Sequence, residues 1–496
     1  MNRFRLIPWV LAGLGPGALT IPALASVESA AGSPEACVTA PDAQAWQDRV
    51  AQGLLPRVMF SGETAPAPVQ ARMAAHRVPA FSVAVIRAGT LDWSAAWGRQ
   101  QADGAAATCR SLFQAGSLAK PATVLAAWRM QQAGAINLDA DVDAYLTPWK
   151  LPAGRQDAEH PVTLRRLFAH TAGITPGGYE GYPRNAVLPT DLQTAQGLPP
   201  SNARKAEVLA VPGTTLRYSG PGYTVAEIAL QQHLKRPFES LMRTWLTGPV
   251  GMRHADFSQP APREGEEHVA RGHQGDGQPV PGGWHAHPEQ AAAGLWATPA
   301  DLAALLIELR KGWLGTSTVF AQASVHDLLA RPFEEHAYGF RLIGDGEQVF
   351  LTHYGGTVGY RAGMTLNLRS GDGAVFMANA DSGMDLGMEF FAAVSDTYGW
   401  SSFGPTRVER AATPPADVLQ SLAGRYGFED GPVVEVVPEA GVLTLVFPNG
   451  DRYPLSPIKG LPRAFIHADT GVRASFDGEG EATTIQLYGD TGRRVR

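Results

Sequence analysis

The spacing of hydrophobic residues changes twice along this chain, and these two changes limit the folds that the chain can adopt. Apolar residues alternate over residues 81–86 and 90–97, and Gly89 lies between the two runs, which predicts a β-hairpin. Helical spacing dominates the middle of the chain, and short strand-like segments return after it. The predicted helices span residues 117–133, 224–234, 238–246 and 299–311, and the later strands span residues 338–342, 359–368 and 374–378.

The order of these segments predicts an α/β fold. We expect an α+β sandwich, an antiparallel sheet flanked by helices, in which sequence-distant strands complete the sheet and the helical middle forms a subdomain. Beyond residue 415 apolar residues alternate without helical periods, which predicts a small C-terminal β-barrel. The predicted domains are a catalytic domain over residues 26–410, a linker over residues 411–415 and the barrel over residues 416–496.

Composition excludes some classes of function. With 496 residues, 44% of them hydrophobic, the chain can bury a sizeable core and exceeds what one core usually organises. A net charge of −6 provides no basic surface for nucleic acid. His285 and His287 lack the HExxH pattern of a zinc hydrolase, so we expect no metal. No serine lies in the GxSxG motif of the α/β-hydrolases, which disfavours that class.

The N-terminus has the pattern of an export signal. Two arginines precede an apolar stretch that ends in small residues, and glycines and prolines interrupt it too often for a membrane anchor. We therefore predict a signal peptide over residues 1–25, a periplasmic or secreted mature protein, and no stable membrane anchor after signal removal. Cys37 and Cys109 would stay in the mature chain. The sequence is compatible with a disulfide between them and with two separate buried thiols.

Ser117 and Lys120 are the strongest candidates for chemistry. Their spacing of three at the start of a predicted helix places the hydroxyl and the amine on one face within mutual reach. Pro121 favours a helix start there, because its missing N–H group would have no partner in a first turn. Ser456 and Lys459 have the same spacing, but glycine and proline follow them and the surroundings are strand-like. The first copy is therefore the candidate site.

Further motifs follow Ser117 in a fixed order. Residues 113–121 read FQAGSLAKP, and the later segments are LDADV at 138–142, LFAHTAGI at 167–174, PGTTLRYSGPGY at 212–223, AGLWAT at 293–298 and HYGG at 353–356. This series resembles the serine β-lactamase and penicillin-binding-protein superfamily, in its branch of class C β-lactamases, DD-peptidases, D-aminopeptidases and esterases. The resemblance covers roughly residues 65–400. The segment after residue 415 is similar to the lipocalin-like β-domain that some members carry.

The resemblance implies a role for each candidate residue. Ser117 would be the nucleophile, with Lys120 and Tyr218 as its proton-handling partners, and which of the two accepts the first proton stays open. The backbone N–H groups of Ser117 and Gly356 would form the oxyanion hole. The rest of the predicted substrate-binding set is His353, Gly355, Ser219 and Gly220.

Two positions depart from the family pattern. Gly220 stands where many β-lactamases have an asparagine whose amide contacts the acylamido group of the substrate, which argues against efficient β-lactam turnover. His353 stands where a lysine often begins the third motif. Because an imidazole is mostly neutral at pH 7, we expect weaker carboxylate recognition that depends on pH between about 6 and 7. His170 is expected to support structure rather than perform chemistry.

The predicted function is an exported serine hydrolase that cleaves amide or ester bonds through an acyl-enzyme on Ser117. We expect a D-aminopeptidase-like or DD-peptidase-like enzyme or an esterase, acting on a small-molecule or peptide substrate without a cofactor. A class C-like β-lactamase is one alternative, and a penicillin-binding or penicillin-sensing protein with slow or no deacylation is the non-enzymatic one. The oligomeric state stays open.

Overall fold

The computed structural model describes residues 38–495 except residues 64, 102, 103, 264, 331, 334, 335, 429–431, 449, 479, 488 and 489. The described chain forms two compact units, one from residues 38–53 and 68–403 and a smaller one from residues 54–67 and 404–495. The predicted signal peptide and Cys37 lie outside the described residues, so the signal and the pairing of Cys37 with Cys109 stay predictions.

Helices and strands are numbered along the chain. The helices are α1 (Gln44–Gln52), α2 (Val69–Ala75), α3 (Ala119–Gln132), α4 (Leu164–Phe168), α5 (Asp191–Gln196), α6 (Gly220–Leu234), α7 (Phe238–Met242), α8 (Gly248–Val250), α9 (Gln290–Ala293), α10 (Pro299–Leu314), α11 (Gln322–Leu328), α12 (Gly383–Tyr398) and α13 (Ala416–Leu422). The strands of the larger unit are β1 (Val38–Thr39), β3 (Ala80–Arg87), β4 (Thr90–Gly98), β5 (Phe113–Gln114), β6 (Tyr182–Pro183), β7 (His285–Ala286), β8 (Trp296–Ala297), β9 (His336–Ala337), β10 (Phe340–Ile343), β11 (Phe350–Thr357), β12 (Tyr360–Asn367) and β13 (Gly373–Ala378). The strands of the smaller unit are β2 (Val58–Phe60), β14 (Thr406–Val408), β15 (Gly424–Gly427), β16 (Val433–Glu439), β17 (Val442–Val446), β18 (Arg452–Ile458), β19 (Leu461–His467), β20 (Arg473–Asp477), β21 (Thr484–Leu487) and β22 (Asp490–Val495).

An antiparallel sheet organises the larger unit. Its strand order is β1-β4-β3-β13-β12-β11-β10-β9, so strands from both ends of the unit meet at its centre, where β3 pairs with β13. The predicted hairpin is confirmed as β3 and β4. The predicted α/β sandwich is therefore confirmed.

Helices cover both faces of this sheet. Side chains alternate between the two faces along a strand, so Phe81 and Ala84 of β3 point to opposite sides. Ala84 belongs to the core that contains Leu305 and Leu306 of α10. The ring of Phe81 packs edge-on against Phe390 of α12, with 5.9 Å between ring centroids. The sequence did not predict α12.

The helical middle of the chain contains the most deeply buried helix. Nearly every residue of α3 between Ala119 and Met130 is buried. This helix packs among α9, α11 and the turn that precedes it, which accounts for its burial. The N-terminal end of α3 is therefore a rigid platform for the residues just before it.

The smaller unit contains a closed antiparallel barrel of β15–β22, which confirms the predicted C-terminal β-barrel. Apolar side chains fill its core: Leu419, Leu422, Tyr426, Val434, Val436, Leu443, Leu445, Leu455, Phe465, Ala474, Phe476, Ile485 and Leu487. Eight strands enclose a space that such side chains can fill. Residues 54–67 also belong to this unit, because β2 pairs in parallel with β14. The likeness to lipocalins and the domain limits stay predictions.

Within the residues that the structure describes, no helix is both long and apolar enough to cross a membrane.

Candidate active site

Ser117 lies in a single 3₁₀ turn, Gly116–Leu118, that joins β5 to α3. Its side chain is nearly buried, with 6% of the residue exposed, and Lys120 in the first turn of α3 is 2% exposed. The spacing of three residues brings the Lys120 Nζ atom to 3.1 Å from the Ser117 Oγ atom. The structure thus places the two predicted side chains in direct contact.

Tyr218 reaches the same oxygen from a distant part of the sequence. Its hydroxyl donates a hydrogen bond to Ser117 Oγ at 2.8 Å. Tyr218 lies just before α6, and the backbone N–H of the next residue, Ser219, donates to Nδ1 of His170 at 3.0 Å. The ring of His170 also packs on the ring of Tyr218, with 4.4 Å between centroids. His170 therefore positions Tyr218, in line with the structural role expected for it.

Lys120 is held in an uncharged environment. Besides Ser117 Oγ, its Nζ atom donates to the carbonyl oxygen of Ala292 in α9 at 2.8 Å. The nitrogen also lies 4.9 Å from the centre of the Tyr218 ring. Burial disfavours the ammonium and lowers the pKa of Lys120 to about 7. A neutral amine at this position can accept the proton of Ser117.

The pKa of Tyr218 shifts in the opposite direction. Burial raises the pKa of the Tyr218 hydroxyl, and the hydrogen bond to Ser117 only partly offsets that increase. The phenol therefore stays protonated near neutral pH, where it acts as a hydrogen-bond donor. The two pKa shifts together favour Lys120 over Tyr218 as the group that accepts a proton.

Strand β11 brings Gly355 and Gly356 against the backbone of the serine turn. A Cβ atom on Gly355 would lie 2.0 Å from the carbonyl oxygen of Ala115, and one on Gly116 would lie 2.7 Å from the Gly356 nitrogen. Gly116 also has a left-handed φ of +53°, which favours glycine. Only residues without side chains allow the two backbone segments to approach this closely.

A chain of hydrogen bonds fixes the end of β11. The hydroxyl of Thr357, the residue after Gly356, donates to Oε1 of Gln114 at 2.7 Å. Gln114 in turn donates through Nε2 to the carbonyl oxygen of His285 at 2.6 Å. The backbone at Gly356 is thereby tied to β5, the strand that leads into the serine turn. The sequence alone did not point to Gln114 or Thr357.

His353 requires a correction. Its Nδ1 atom lies 2.7 Å from the carbonyl oxygen of Tyr354, so that nitrogen carries the proton. Burial, with a smaller effect from the positive charge of Lys120, lowers the pKa of His353 to about 3. The imidazole is therefore neutral throughout the range in which we expected it to titrate. The expected dependence of carboxylate binding on pH 6–7 is wrong for this group.

Ser219 and Gly220 also differ from expectation. The Ser219 hydroxyl caps α6, accepting from the backbone N–H of Gly222 at 2.9 Å and donating to the carbonyl oxygen of Thr175 at 2.7 Å. Ser219 is 3% exposed, so its side chain is engaged in the fold rather than open to a substrate. Gly220 is buried next to the ring of Tyr179.

Glu227 is a further residue that sequence reasoning missed. Its Oε2 atom accepts the backbone N–H of Ala291 at 2.8 Å, one residue before the carbonyl that binds Lys120. Burial raises the pKa of Glu227 well above its ordinary value, because desolvation disfavours the charged carboxylate. The sequence feature that could have pointed to Glu227 is the presence of an acidic residue within the apolar stretch 225–230.

Histidine and acidic side chains of the described residues form no group of three that could bind a metal ion. His287 is buried, and desolvation lowers its pKa to about 3. The backbone carbonyl of His285 takes part in the Gln114 contact described above.

Fold and motif agree with comparisons to known proteins. The family model described as Beta-lactamase matches residues 67–395, which is more than half of the chain. The chain therefore belongs to the β-lactamase family, the group of serine β-lactamases and penicillin-binding proteins.

Curated relatives are distant and only partly covered. "Protein flp" of Staphylococcus aureus (strain N315) is 23% identical over 326 residues, which are 62% of this chain and 60% of that protein. "Penicillin-binding protein 4" of Amycolatopsis lactamdurans is 28% identical over 229 residues, 44% of this chain and 55% of that protein. The chain thus spans about 60% of the length of Protein flp.

Solved structures support the same fold. The octameric penicillin-binding protein homologue from Pyrococcus abyssi has a TM-score of 0.59 at 21% identity and covers 86% of this chain and 98% of its own. SurE has a TM-score of 0.56 at 21% identity and covers 86% of this chain and 97% of its own. At this identity the likeness establishes the fold alone.

Proposed function

We propose that this protein is an exported serine hydrolase that cleaves amide or ester bonds through an acyl-enzyme on Ser117. The observation that carries the proposal is the arrangement around one oxygen, Ser117 Oγ. Lys120 Nζ lies 3.1 Å from it and the Tyr218 hydroxyl lies 2.8 Å from it. A serine needs a base to accept its proton during attack, and a buried lysine with a pKa of about 7 meets that need.

Acylation would follow from these contacts. Oγ attacks the carbonyl carbon while its proton passes to the neutral amine of Lys120. The backbone N–H groups of Ser117 and Gly356 stabilise the negative charge on the carbonyl oxygen. When the bond to the leaving amine or alkoxide breaks, the Tyr218 hydroxyl donates a proton to it, and the Lys120 ammonium returns a proton to Tyr218.

In deacylation a water molecule would be the nucleophile, and Ser117 would be the leaving group. A water molecule attacks the acyl carbon and gives a proton to the neutral Lys120. The bond from carbon to Oγ breaks, and the Lys120 ammonium returns its proton to Oγ, which restores the hydroxyl and the neutral amine. Because Lys120 must be neutral at the start of both half-reactions, the same titration governs each of them.

Three substrate classes fit the proposal: amides of D-amino acids, D-alanyl peptides and simple esters. SurE, which has a similar fold, has also been crystallised with D-Leu, and this supports a D-configured group as a substrate for the present chain. The relative named penicillin-binding protein 4 supports penicillin binding without turnover as the alternative. A class C-like β-lactamase is less well supported, because Gly220 offers no amide to an acylamido group.

One panel separates these outcomes. The protein is incubated with a p-nitrophenyl ester, the p-nitroanilide of D-alanine and nitrocefin, and turnover and intact mass are followed together. A hydrolase turns over the ester or the anilide, whereas a penicillin-binding protein accumulates the mass of an acyl adduct. Ser117→Ala should lose turnover and adduct formation, while the matched control Ser456→Ala keeps both. Labelling that persists in Ser117→Ala would contradict the proposal.

Export is proposed on the pattern of residues 1–25 alone. N-terminal sequencing of the protein recovered outside the cytoplasm should begin near residue 26. A cytoplasmic protein that retains residues 1–25 would contradict it.

A further inference from the structure

The turn that joins β11 to β12 lies just beyond Gly356, and the side chain of Arg361 holds it. Gly356 and Arg361 are opposite each other across the two strands. The Nη1 atom of Arg361 donates to the carbonyl oxygen of Thr357 at 2.8 Å and to that of Tyr360 at 2.7 Å. One guanidinium group therefore ties together the two residues that flank the turn.

Asp381, which follows β13, holds this guanidinium group in place. Its Oδ1 atom lies 3.0 Å from Nη1 of Arg361 and accepts the backbone N–H of Gly359, a residue of the turn, at 2.9 Å. The two charged side chains are mostly withdrawn from solvent, with 12% of Arg361 and 20% of Asp381 exposed. Solvent and salt screen such a pair less than a surface pair, so it constrains the turn more strongly.

Gly356 leaves room for Arg361 to reach the turn. Opposite residues on paired strands place their side chains on the same face of the sheet. A Cβ atom on Gly356 would lie 3.4 Å from both Cδ and Nη1 of Arg361. The serine turn contacts the same residue, because a Cβ atom on Gly116 would lie 2.7 Å from the Gly356 nitrogen. Gly356 is thus packed against both Arg361 and the serine turn.

The side chain of Thr357 is held as firmly as its carbonyl group. Its hydroxyl donates to Gln114 at 2.7 Å, and Gln114 donates onward to the carbonyl of His285 at 2.6 Å. Thr357 is 6% exposed and Gln114 is 2% exposed, so water competes little for these bonds. The residue next to Gly356 is therefore fixed twice, at its carbonyl by Arg361 and at its hydroxyl by Gln114.

We propose that Arg361 and Gln114 are positioning residues, which hold Thr357 from two sides and thereby fix the direction of the Gly356 N–H group in the oxyanion hole. This inference rests on the proposed function, because it concerns the carbonyl oxygen of a substrate that acylates Ser117. Its evidence is separate, since it comes from the contacts of the β11–β12 turn.

The physical reason is the freedom of the backbone at this point. An oxyanion-hole donor lowers the barrier only if it is aimed at the oxygen before the reaction begins. Gly355 and Gly356 are two successive glycines, the residue type with the greatest backbone freedom. Neighbouring contacts must therefore supply the rigidity that the two glycines lack.

The test replaces the carbonyl oxygen of the substrate with sulfur. p-Nitrophenyl butanoate and O-(p-nitrophenyl) butanethioate differ in this atom alone. Sulfur is a larger atom and a weak hydrogen-bond acceptor, so the thiono ester gains little from donors placed for oxygen. The measured quantity is the ratio of kcat/KM for the oxygen ester to kcat/KM for the thiono ester. In the unmodified protein it should exceed the same ratio for alkaline hydrolysis by at least about tenfold.

Two variants of Thr357 test the contact with Gln114. Thr357→Val keeps the shape of the side chain and removes the hydroxyl, so the ratio should fall by about tenfold, less than the loss of a whole oxyanion-hole donor would cost. Thr357→Ser keeps the hydroxyl, and its ratio should stay within about twofold of the original. A general loosening of the fold would lower both rates and leave the ratio unchanged.

A second pair of variants tests Arg361. Arg361→Met/Asp381→Asn removes both charges together, so that neither is left unpaired in the fold, and should also lower the ratio by about tenfold. Arg310→Met is the matched control, because Arg310 donates to the carbonyl groups of Leu368 and Arg369 at the other end of β12. Its ratio should not change. An equal fall in Arg310→Met would overturn the inference, since the ratio would then report on the sheet as a whole.

The outcomes distinguish this inference from the function beneath it. If the unmodified protein hydrolyses neither ester and shows no labelling at Ser117, the proposed function fails and the inference fails with it. If the protein hydrolyses the esters through Ser117 but the ratio is unchanged in Thr357→Val or in Arg361→Met/Asp381→Asn, only the positioning role fails.

Discussion

Lys120 is one of six lysines in a chain whose other basic residues are mostly arginines. The other five lysines are exposed, and Lys120 alone is buried. A buried lysine can give up its proton and remain as a neutral amine, whereas an arginine stays charged. The identity of the basic residue therefore decides whether the site has a proton acceptor.

His353 should take no part in pH dependence between pH 5 and 8. Its pKa of about 3 means that the imidazole gains a proton only below that range. The KM ratio of a carboxylate-bearing ester to a neutral ester of similar size should therefore vary with pH in the same way in the unmodified protein and in His353→Asn. Lys120 titrates in both and sets the shared profile. A step between pH 6 and 7 that His353→Asn abolishes would contradict this account.

At the scale of elements, α6 holds α9 in place through Glu227, and α9 holds Lys120 through the carbonyl of Ala292. We predict that Glu227→Ala lowers stability by about 1–3 kcal/mol, because the buried N–H of Ala291 loses its acceptor. It should also lower kcat/KM, because α9 loosens. Thermal unfolding and ester hydrolysis measure the two effects.

Glu227→Gln is the control for this prediction. The raised pKa of Glu227 favours the uncharged acid, and an amide resembles that form in shape and charge while it keeps an oxygen acceptor. Glu227→Gln should therefore stay close to the unmodified protein in both measurements. Equal losses in the two variants would mean that Glu227 acts as a buried carboxylate.

Sequence predicted the parts of this fold that depend on local patterns. The hairpin of β3 and β4 follows from alternation, and the contact of Ser117 with Lys120 follows from their spacing at a helix start. The helix α12 was missed because its glycines weaken the helical pattern. Gly383 and Gly387 are needed for packing, since Cβ atoms there would lie 2.4 Å from Ala378 and 2.2 Å from Phe376.

Other parts of the site depend on contacts between distant segments. Tyr218 and Gly356 were identified through the resemblance to a family, because no periodicity connects them with Ser117. The packing of Tyr179 against Gly220 could not be predicted, since Tyr179 lies in a glycine-rich loop without a pattern. The low pKa of His353 could also not be predicted from the sequence, because it depends on the burial of the imidazole in the folded protein.

At the scale of the whole molecule, the chain carries its catalytic candidates and its barrel in two compact units. Residues 54–67 belong to the barrel unit, where Val58 and Phe60 pack with Ile458 and Ile466. No local pattern could link these segments, because they are far apart in the sequence.

We predict that a change in the stability of the barrel does not affect the chemistry at Ser117. Leu445 is fully buried in the barrel core, so Leu445→Ala should destabilise that unit by about 2–5 kcal/mol. The rate at which a fluorophosphonate labels Ser117 should not change. Leu461→Ala, at a position 41% exposed on β19, is the matched control and should change neither quantity. Slower labelling in Leu445→Ala at a temperature where both units remain folded would show that the barrel contributes to the site.

If Ser117 forms an acyl-enzyme with neutral Lys120 as the base, the rate of acylation should follow the titration of Lys120. The most direct test is the pre-steady-state rate of acylation by a p-nitrophenyl ester as a function of pH, with the adduct located by mass spectrometry. We expect an adduct on Ser117 and a rate that rises about tenfold per pH unit up to about pH 7 and is constant above it. Lys120→Arg should lower the rate by at least about a hundredfold at every pH, whereas Lys459→Arg should not change it. An adduct on another residue, or a rate in Lys120→Arg equal to that of the unmodified protein, would contradict the account.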